Sequence, residues 1–270
     1  MPATTDSAAD ADRKVSVAIL AGRRPQGDPV ADMFGVTYKA AARIGERCML
    51  NRVIDALDAS GRVDMIHILL QSPEDLLAME DFKHLATRAE VRFVRSCGSI
   101  CHSLIALVDD LGAPWPLLIT TSDHVLLQGC DIETFLDRVP QGADIAVAMV
   151  EDSTVLAEHP STRRTWLRFA DGAFTTCNLF LLGGPGARRV LSFWSEVERD
   201  RKKPLRLAWR FGPLLCLMFL LRMMGVERAF ARASRVIGAV ALPVVLHRAN
   251  LSIDVDKPAD VVLVRELLGY

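Results

Sequence analysis

Three shortages narrow the class of this chain before any motif is read. None of its six cysteines forms a C-x-x-C pair: Cys48, Cys97, Cys101, Cys130, Cys177 and Cys216 are scattered. That spacing argues against a zinc site or a disulfide framework and for reduced thiols in a cytoplasmic protein. Neither sign of charge dominates, with 32 Lys and Arg against 33 Asp and Glu and a formal net charge of -1. A general nucleic-acid binder would carry a basic excess, so no nucleic-acid partner is expected. The apolar stretch Phe211 to Gly225 is interrupted by Arg222 and falls short of the ~20 residues a spanning helix needs. Residues 1–13 are small, polar and acidic, and read as a disordered leader rather than a signal peptide.

What is present is a long alternation of strand-like and helix-like segments. With 270 residues, half of them hydrophobic, the chain can build one sizeable core, most simply one domain over 14–270. Strands are expected at Lys14 to Leu20, Met65 to Leu70, Val91 to Val94, Leu117 to Thr121 and Ile145 to Val150. Helices are expected at Cys48 to Ala59, after Ser72-Pro73, at Ser99 to Asp110 and at Asp131 to Arg138, from apolar spacing and capping residues. Repeated strand–helix–strand units favour an α/β fold, a doubly wound and mostly parallel sheet covered on both faces. Thr165 to Phe169 and Phe174 to Leu182 flank Asp171-Gly172 and read as an antiparallel hairpin. With the helical stretch that follows, this hairpin makes an accessory region at about 151–240.

Ligands of such sheets collect at the carboxyl ends of the strands. Leu20-Ala21-Gly22-Arg23-Arg24, Gly98-Ser99 with Ser103, and Ser122-Asp123-His124 all fall there. Backbone amides after a strand, with arginines in the same turn, suit the binding of a nucleoside triphosphate's charged phosphates. Asp123 follows a buried strand, where a carboxylate has no packing role. In I-D-V-D-K-P-A-D (Ile253 to Asp260), carboxylates sit in a turn ahead of a helix opened by Pro258. A hard divalent ion takes oxygen ligands together with substrate phosphates, and either Asp254 or Asp256 could supply one. Asn178 is a polar amide within an apolar strand.

These residues together resemble the nucleotidyltransferases of the molybdenum-cofactor guanylyltransferase and sugar-phosphate nucleotidyltransferase type, the MobA-like NTP transferases. Leu20-Ala21-Gly22, Arg23-Arg24 and Lys39 match that family's L-A-G-G-x-G-x-R…K opening, with Arg23 where the family has its second glycine. R-I-G-E-R-C-M-L-N-R-V resembles its G-x-x-P-M-L-x-R-V. The likeness covers 15–125 and 250–268 well and is weaker between. It implies a glycosyltransferase-A-like, Rossmann-like domain that binds a nucleoside triphosphate, CTP or GTP, and Mg2+. It also implies Arg24 and Lys39 as catalytic cations and Leu20, Ala21, Gly22, Arg23, Gly98, Ser99 and Ser103 as nucleotide-binding. The D-x-P spacing selects Asp256 to join Asp123 as metal ligand.

The expected reaction is transfer of a nucleoside monophosphate to a phosphorylated acceptor, sugar-, alditol- or lipid-linked, with release of pyrophosphate. Asn178 and the basic run from Arg199 to Arg210, with Lys202 and Lys203, are the acceptor-side candidates. That run precedes an apolar stretch, which adds the expectation of peripheral contact with the inner face of a membrane. Two alternatives stand beside this reading: a glycosyltransferase of the same fold, with Ser122-Asp123-His124 as its metal motif, and a membrane-peripheral binding protein without turnover.

Overall fold

The computed structural model describes residues 14–24, 26–112, 115–160, 162, 164–200 and 212–270, the side chains of 199–200 and 213–216 excepted. The leader 1–13 and the cations between Arg199 and Arg210, Lys202 and Lys203 among them, therefore lie outside the described residues or side chains.

The V-S-V-A-I-L run forms β1 (Val15–Leu20), and its composition explains its place. Val17 and Ile19 are fully buried against one face of the sheet, and Ala18 is fully buried against the other. A strand apolar on both sides belongs in the middle of a parallel sheet. Next come a short α1 (Pro29–Phe34), a two-stranded ribbon of β2 (Arg43–Ile44) and β3 (Arg47–Cys48), and α2 (Met49–Ala59). Met49, Leu50, Val53, Ile54 and Leu57 of α2 are buried, the stripe that the helical spacing implies.

The chain continues through β4 (Val63–Leu70), α3 (Pro73–Leu77), α4 (Glu80–Lys83), β5 (Val91–Arg95), α5 (Ile100–Asp110), β6 (Leu117–Thr121), α6 (Gly129–Arg138) and β7 (Ile145–Glu151). Then follow α7 (Asp152–Glu158), β8 (Leu167–Phe169), β9 (Gly172–Leu182), α8 (Ala187–Asp200), α9 (Pro213–Leu220), α10 (Val226–Ile237), β10 (Ala241–Leu246) and α11 (Pro258–Leu267).

The main sheet runs β10-β7-β9-β6-β1-β4-β5, with β8 beside β9. Pairings of β1 with β4 and β6, of β4 with β5, and of β10 with β7 are parallel. The hairpin around Asp171-Gly172 is built, with Phe169 opposite Gly172 and Leu167 opposite Phe174. Its second arm is no surface appendage: β9 enters the main sheet antiparallel between β6 and β7. Eleven residues of β9, mostly apolar on both faces, cannot remain at a solvated edge. The reversal also carries Leu182 to the amino-end side of β6 and leaves the hairpin turn at the carboxyl edge, beside Glu151.

One cluster, including Ile19, Leu50, Ile54, Ile68 and Leu179, fills the α2 face of the sheet; another, including Ala18, Leu104, Leu107, Ile119 and Leu191, fills the α5 and α8 face. Truncating a fully buried residue such as Ile19 to Ala would cost roughly 2–5 kcal/mol.

Candidate functional site

Three strand ends meet at the carboxyl edge through backbone hydrogen bonds. Ala21 N donates to Leu69 O at 2.9 Å, Ser122 N to Leu20 O at 3.1 Å, and Val255 N to Asp123 O at 3.2 Å. The last bond joins residues far apart in sequence and sets the two acidic segments side by side. After Ala21 the loop turns outward, so Gly22, Arg23 and Arg24 are exposed. Gln71 clamps it, accepting from Arg23 N at 3.0 Å and donating to Arg23 O at 3.1 Å. A Cβ on Gly22 would lie 3.2 Å from the Gln71 amide, so the clamp is tight only with glycine there.

Lys39 opens a short 3-10 turn, Lys39–Ala41, that is anchored by buried alanines on one side and by Tyr38 on the other. The Tyr38 ring is buried, and its Oη accepts from Ser72 N at 2.9 Å. From this fixed base the Lys39 ammonium reaches Asp123 Oδ2 at 2.6 Å and Asp256 Oδ1 at 2.9 Å. Asp28 Oδ2 lies 3.7 Å away, while Oδ1 of the same residue caps α1 by accepting from Val30 N at 3.0 Å. Arg24 Nη2 meets Asp256 Oδ1 at 2.6 Å. Thr121 donates its hydroxyl to Asp123 Oδ1.

Burial alone would lower the Lys39 pKa, but Asp123 and Asp256 outweigh it and raise it above the usual lysine value. Burial likewise pushes Asp256 up, and the Lys39 hydrogen bond and charge, with Arg24, bring it below the usual carboxylate value. Both groups are therefore ionised at neutral pH.

Two residues before Asp256, the environment is different. Asp254 is hydrogen-bonded by Arg164 and accepts from Asn178 Nδ2 at 3.2 Å. Arg164 Nη2 lies 3.6 Å from Asp260, and Asp260 in turn accepts from the backbone N–H groups of Asp256 and Lys257 at 3.1 Å. Burial raises the Asp254 pKa above the usual value, against the pull of Arg164. Asn178 holds φ at +50°, at the bulge between the pairings of Val147 and Met149 with β9. Asparagine tolerates this left-handed conformation better than a branched residue.

The Gly98-Ser99 turn after β5 lies at the same edge. Gly98 takes φ of +58°, and Ser99 caps α5 by accepting from His102 N. Ser103, a nucleotide-binding candidate, faces inward. It is 5% exposed, and its Oγ bonds Cys97 N at 2.9 Å and the carbonyls of Cys97 and Ser99. Such a serine braces the turn. His124 is also structural: it is 1% exposed, its Nε2 lies 3.1 Å from Leu251 O, and burial lowers its pKa to about 4. A metal motif running Ser122-Asp123-His124 thus reduces to the Asp123 carboxylate. Asn178 faces Asp254 here, with Lys202 and Lys203 outside the described residues.

Sequence reasoning missed Asp28, Arg164, Thr121 and Gln71. D-P at Asp28-Pro29 is a capping signature, which conceals a second role for the same carboxylate. Arg164 carried no local signal, because its partners are 90 and 96 positions away.

Among the described residues no group of three or more His, Cys, Asp and Glu is placed to hold a metal ion. Asp123 and Asp256, however, aim at one point, now the Lys39 ammonium. Three carboxylates (Asp28, Asp123, Asp256) face two cations, Lys39 and Arg24, so the cluster is net negative. A triphosphate entering beside these carboxylates gains from further positive charge. Two carboxylates plus substrate phosphates is a donor set that suits magnesium. The residues fit the ion.

No family model and no curated protein matches the chain. Solved structures do. A hypothetical transferase from Thermus thermophilus superposes with a TM-score of 0.75 at 27% identity, covering 92% of this chain and 99% of that one. A CMP:2-keto-3-deoxy-manno-octonic acid synthetase in complex with CTP matches at 0.55 and 16% identity, over 95% of this chain and 98% of its own. A 4-diphosphocytidyl-2C-methyl-D-erythritol synthase matches at 0.57 and 14% identity, over 95% and 99%. The chain has the α/β fold of the nucleotidyltransferases, and such enzymes are its structural neighbours.

Proposed function

We propose that the protein is a nucleotidyltransferase that passes a nucleoside monophosphate from a nucleoside triphosphate to a phosphorylated acceptor. The observation that carries this reading is the Lys39 ammonium held between Asp123 and Asp256, with Arg24 on the same carboxylate. Lys39 and Arg24 are the groups to offset charge on the leaving pyrophosphate, with Arg23 and the amides after Ala21 beside them. Gly98 and Ser99, in the turn after β5 at the same edge, are the candidates to line the base and ribose. The acceptor phosphate oxygen attacks the α-phosphorus in line; the bond from that phosphorus to the oxygen bridging the β-phosphate breaks, and pyrophosphate departs. Chemistry of this kind depends on positioning and charge stabilisation more than on proton transfer.

Asp123 and Asp256 would hold Mg2+, which when bound neutralises phosphate oxygens and orients them. The Thr121 hydroxyl holds the Asp123 carboxylate and the Val255 amide holds its backbone, while Arg24 and Lys39 hold Asp256, so both carboxylates stay aimed. CTP heads the triphosphates to try, because one neighbour is solved with it and another is named for a cytidyl product; GTP is second. Asn178, which donates to Asp254, stays an acceptor-side candidate, as do Lys202 and Lys203. A cytoplasmic location agrees with the reduced thiols and the nucleotide substrate.

A glycosyltransferase reading has less support, since a nucleotide-sugar donor brings no triphosphate for Arg23, Arg24 and Lys39 to neutralise. The test is pyrophosphate release from CTP or GTP with magnesium and a panel of sugar, alditol and lipid-linked phosphates. Release that depends on both substrates supports the proposal. Turnover of a nucleotide sugar, with no release from any triphosphate, would overturn it.

A further inference from the structure

Beyond the Lys39 cluster, the described surface carries an apolar patch that the fold leaves uncovered. Leu217, Leu220, Leu221 and Met223, on and just after α9, are 51%, 76%, 59% and 60% exposed. The stretch is anchored from beneath: Phe219 packs edge-on to Phe169 at 5.5 Å, and Met224 is buried. Its outward leucines are therefore presented on a fixed base. Alongside runs α10, whose Val226 and Phe230 pack inward against Met149, Phe169 and Phe174. Arg228, Arg232 and Arg235 recur at i, i+4 and i+7, which places them on one helix face. With Met218, Met223 and Met224 they line a groove of about 300 Å3.

The patch adjoins the edge where the nucleotide site lies. Val226 N donates to the Asp171 carboxylate at 3.0 Å, and Asp171 belongs to the hairpin turn beside Glu151 at the carboxyl edge of β7.

We propose that the α9–α10 surface docks the protein on an anionic lipid bilayer. The pairing of exposed aliphatic side chains with a cationic stripe is what a bilayer interface receives: leucines enter the acyl boundary while guanidiniums meet the headgroup phosphates. No described helix is long and apolar enough to cross the membrane, so contact is from one side. A second copy of the chain fits less well. A two-fold interface would set the arginine stripe against its own copy, and like charges would oppose the contact. An acidic protein or nucleic acid would satisfy the arginines and leave the leucines in water.

The inference does not depend on the nucleotide reading, and its test requires no turnover. Full-length protein is co-sedimented with vesicles of phosphatidylcholine alone and of phosphatidylcholine mixed with phosphatidylglycerol, at low and at raised salt. Binding is expected to the anionic vesicles and to weaken with salt. Changing Arg228, Arg232 and Arg235 together to Gln should weaken it on the order of a hundredfold. Leu220→Ser with Leu221→Ser should release the protein even at low salt. Four of the five side chains are exposed and Arg232 is half-buried, so circular dichroism and Tm are measured on each variant and should stay close to the wild type. Wild-type protein left in the supernatant at low salt, or undiminished binding by the arginine variant, overturns the proposal. So does a dimer, seen by light scattering, that the leucine variant dissolves without any vesicle binding having occurred.

Discussion

Asp254 and Asp256 stand two residues apart in one segment, yet the protein treats them in opposite ways. Asp256, 40% exposed at its side chain, faces Lys39 and Arg24, and these cations lower its pKa. Asp254, 24% exposed, is turned toward Arg164 and Asn178, and burial raises its pKa. In a regular strand residues i and i+2 would share a face; residues 253–256 form no regular strand, and the irregular backbone lets one segment serve a charged, ligand-facing cluster and a buried brace. The difference separates a carboxylate available to a substrate or ion from one that fixes the segment's position.

Lys39 offers the largest effect with which to break this contrast. Lys39→Met should reduce turnover by about 10²-fold or more, in the range seen when a charge-stabilising group is removed. Pyrophosphate release at saturating triphosphate measures it. Loss of affinity alone, with turnover unchanged, would assign Lys39 to ground-state binding.

The two aspartates come next. Asp256→Ala should reduce turnover by a similar order while Tm stays within a few degrees, because the residue is half open to solvent. Asp254→Ala should act first on stability, lowering it by up to about 3 kcal/mol, since Arg164 would then be buried with its charge poorly compensated. Chemical denaturation and pyrophosphate release on both variants test the pair; reversed outcomes would exchange the roles of the two residues.

Asn178 gives a smaller effect. Asn178→Gly keeps the left-handed backbone and removes one hydrogen bond, for a cost of about 1 kcal/mol. Asn178→Val adds strain at a positive φ and should cost more. Equal Tm values for the two variants would mean that the bulge relaxes.

The pH dependence of stability is the finest comparison. Asp256, lowered in the folded state, adds stability above the ordinary carboxylate pKa that is lost as pH falls through its folded value. Asp254, raised in the folded state, does the reverse: its contribution is present below the ordinary value and is lost as pH rises through the folded one. Asp256→Asn should flatten the acid limb below the ordinary value, and Asp254→Asn the region just above it. Lys39, raised, should hold its contribution until pH passes the usual lysine range.

Much of the architecture was legible because apolar runs and caps act locally. β1, β4, β6 and α2 arise from segments whose burial pattern is written in consecutive residues. The path of β9 was not legible: its sequence says hairpin, and insertion between β6 and β7 is decided by which strand edges need a hydrogen-bonding partner. Asp123 could be marked as a candidate from its position after a buried strand, and Lys39 from the family's opening motif that it matches. Arg164 could not, since its pairing with Asp254 exists only once the last segment folds back onto the sheet. The partners of Ser103 were not legible for a related reason: capping and ligand-facing serines look alike in sequence until the hydroxyl's partners are known.

The central claim is that the cluster around Lys39 is a metal-dependent triphosphate site. Thermal shift of the wild type and of Lys39→Met, with CTP and GTP titrated in the presence and absence of magnesium, tests it most directly. The wild-type Tm should rise with the logarithm of triphosphate concentration, only with magnesium, and more for one base than the other. Lys39→Met should show a smaller rise. No shift with any triphosphate, or a shift equal in the variant and without magnesium, would contradict the account.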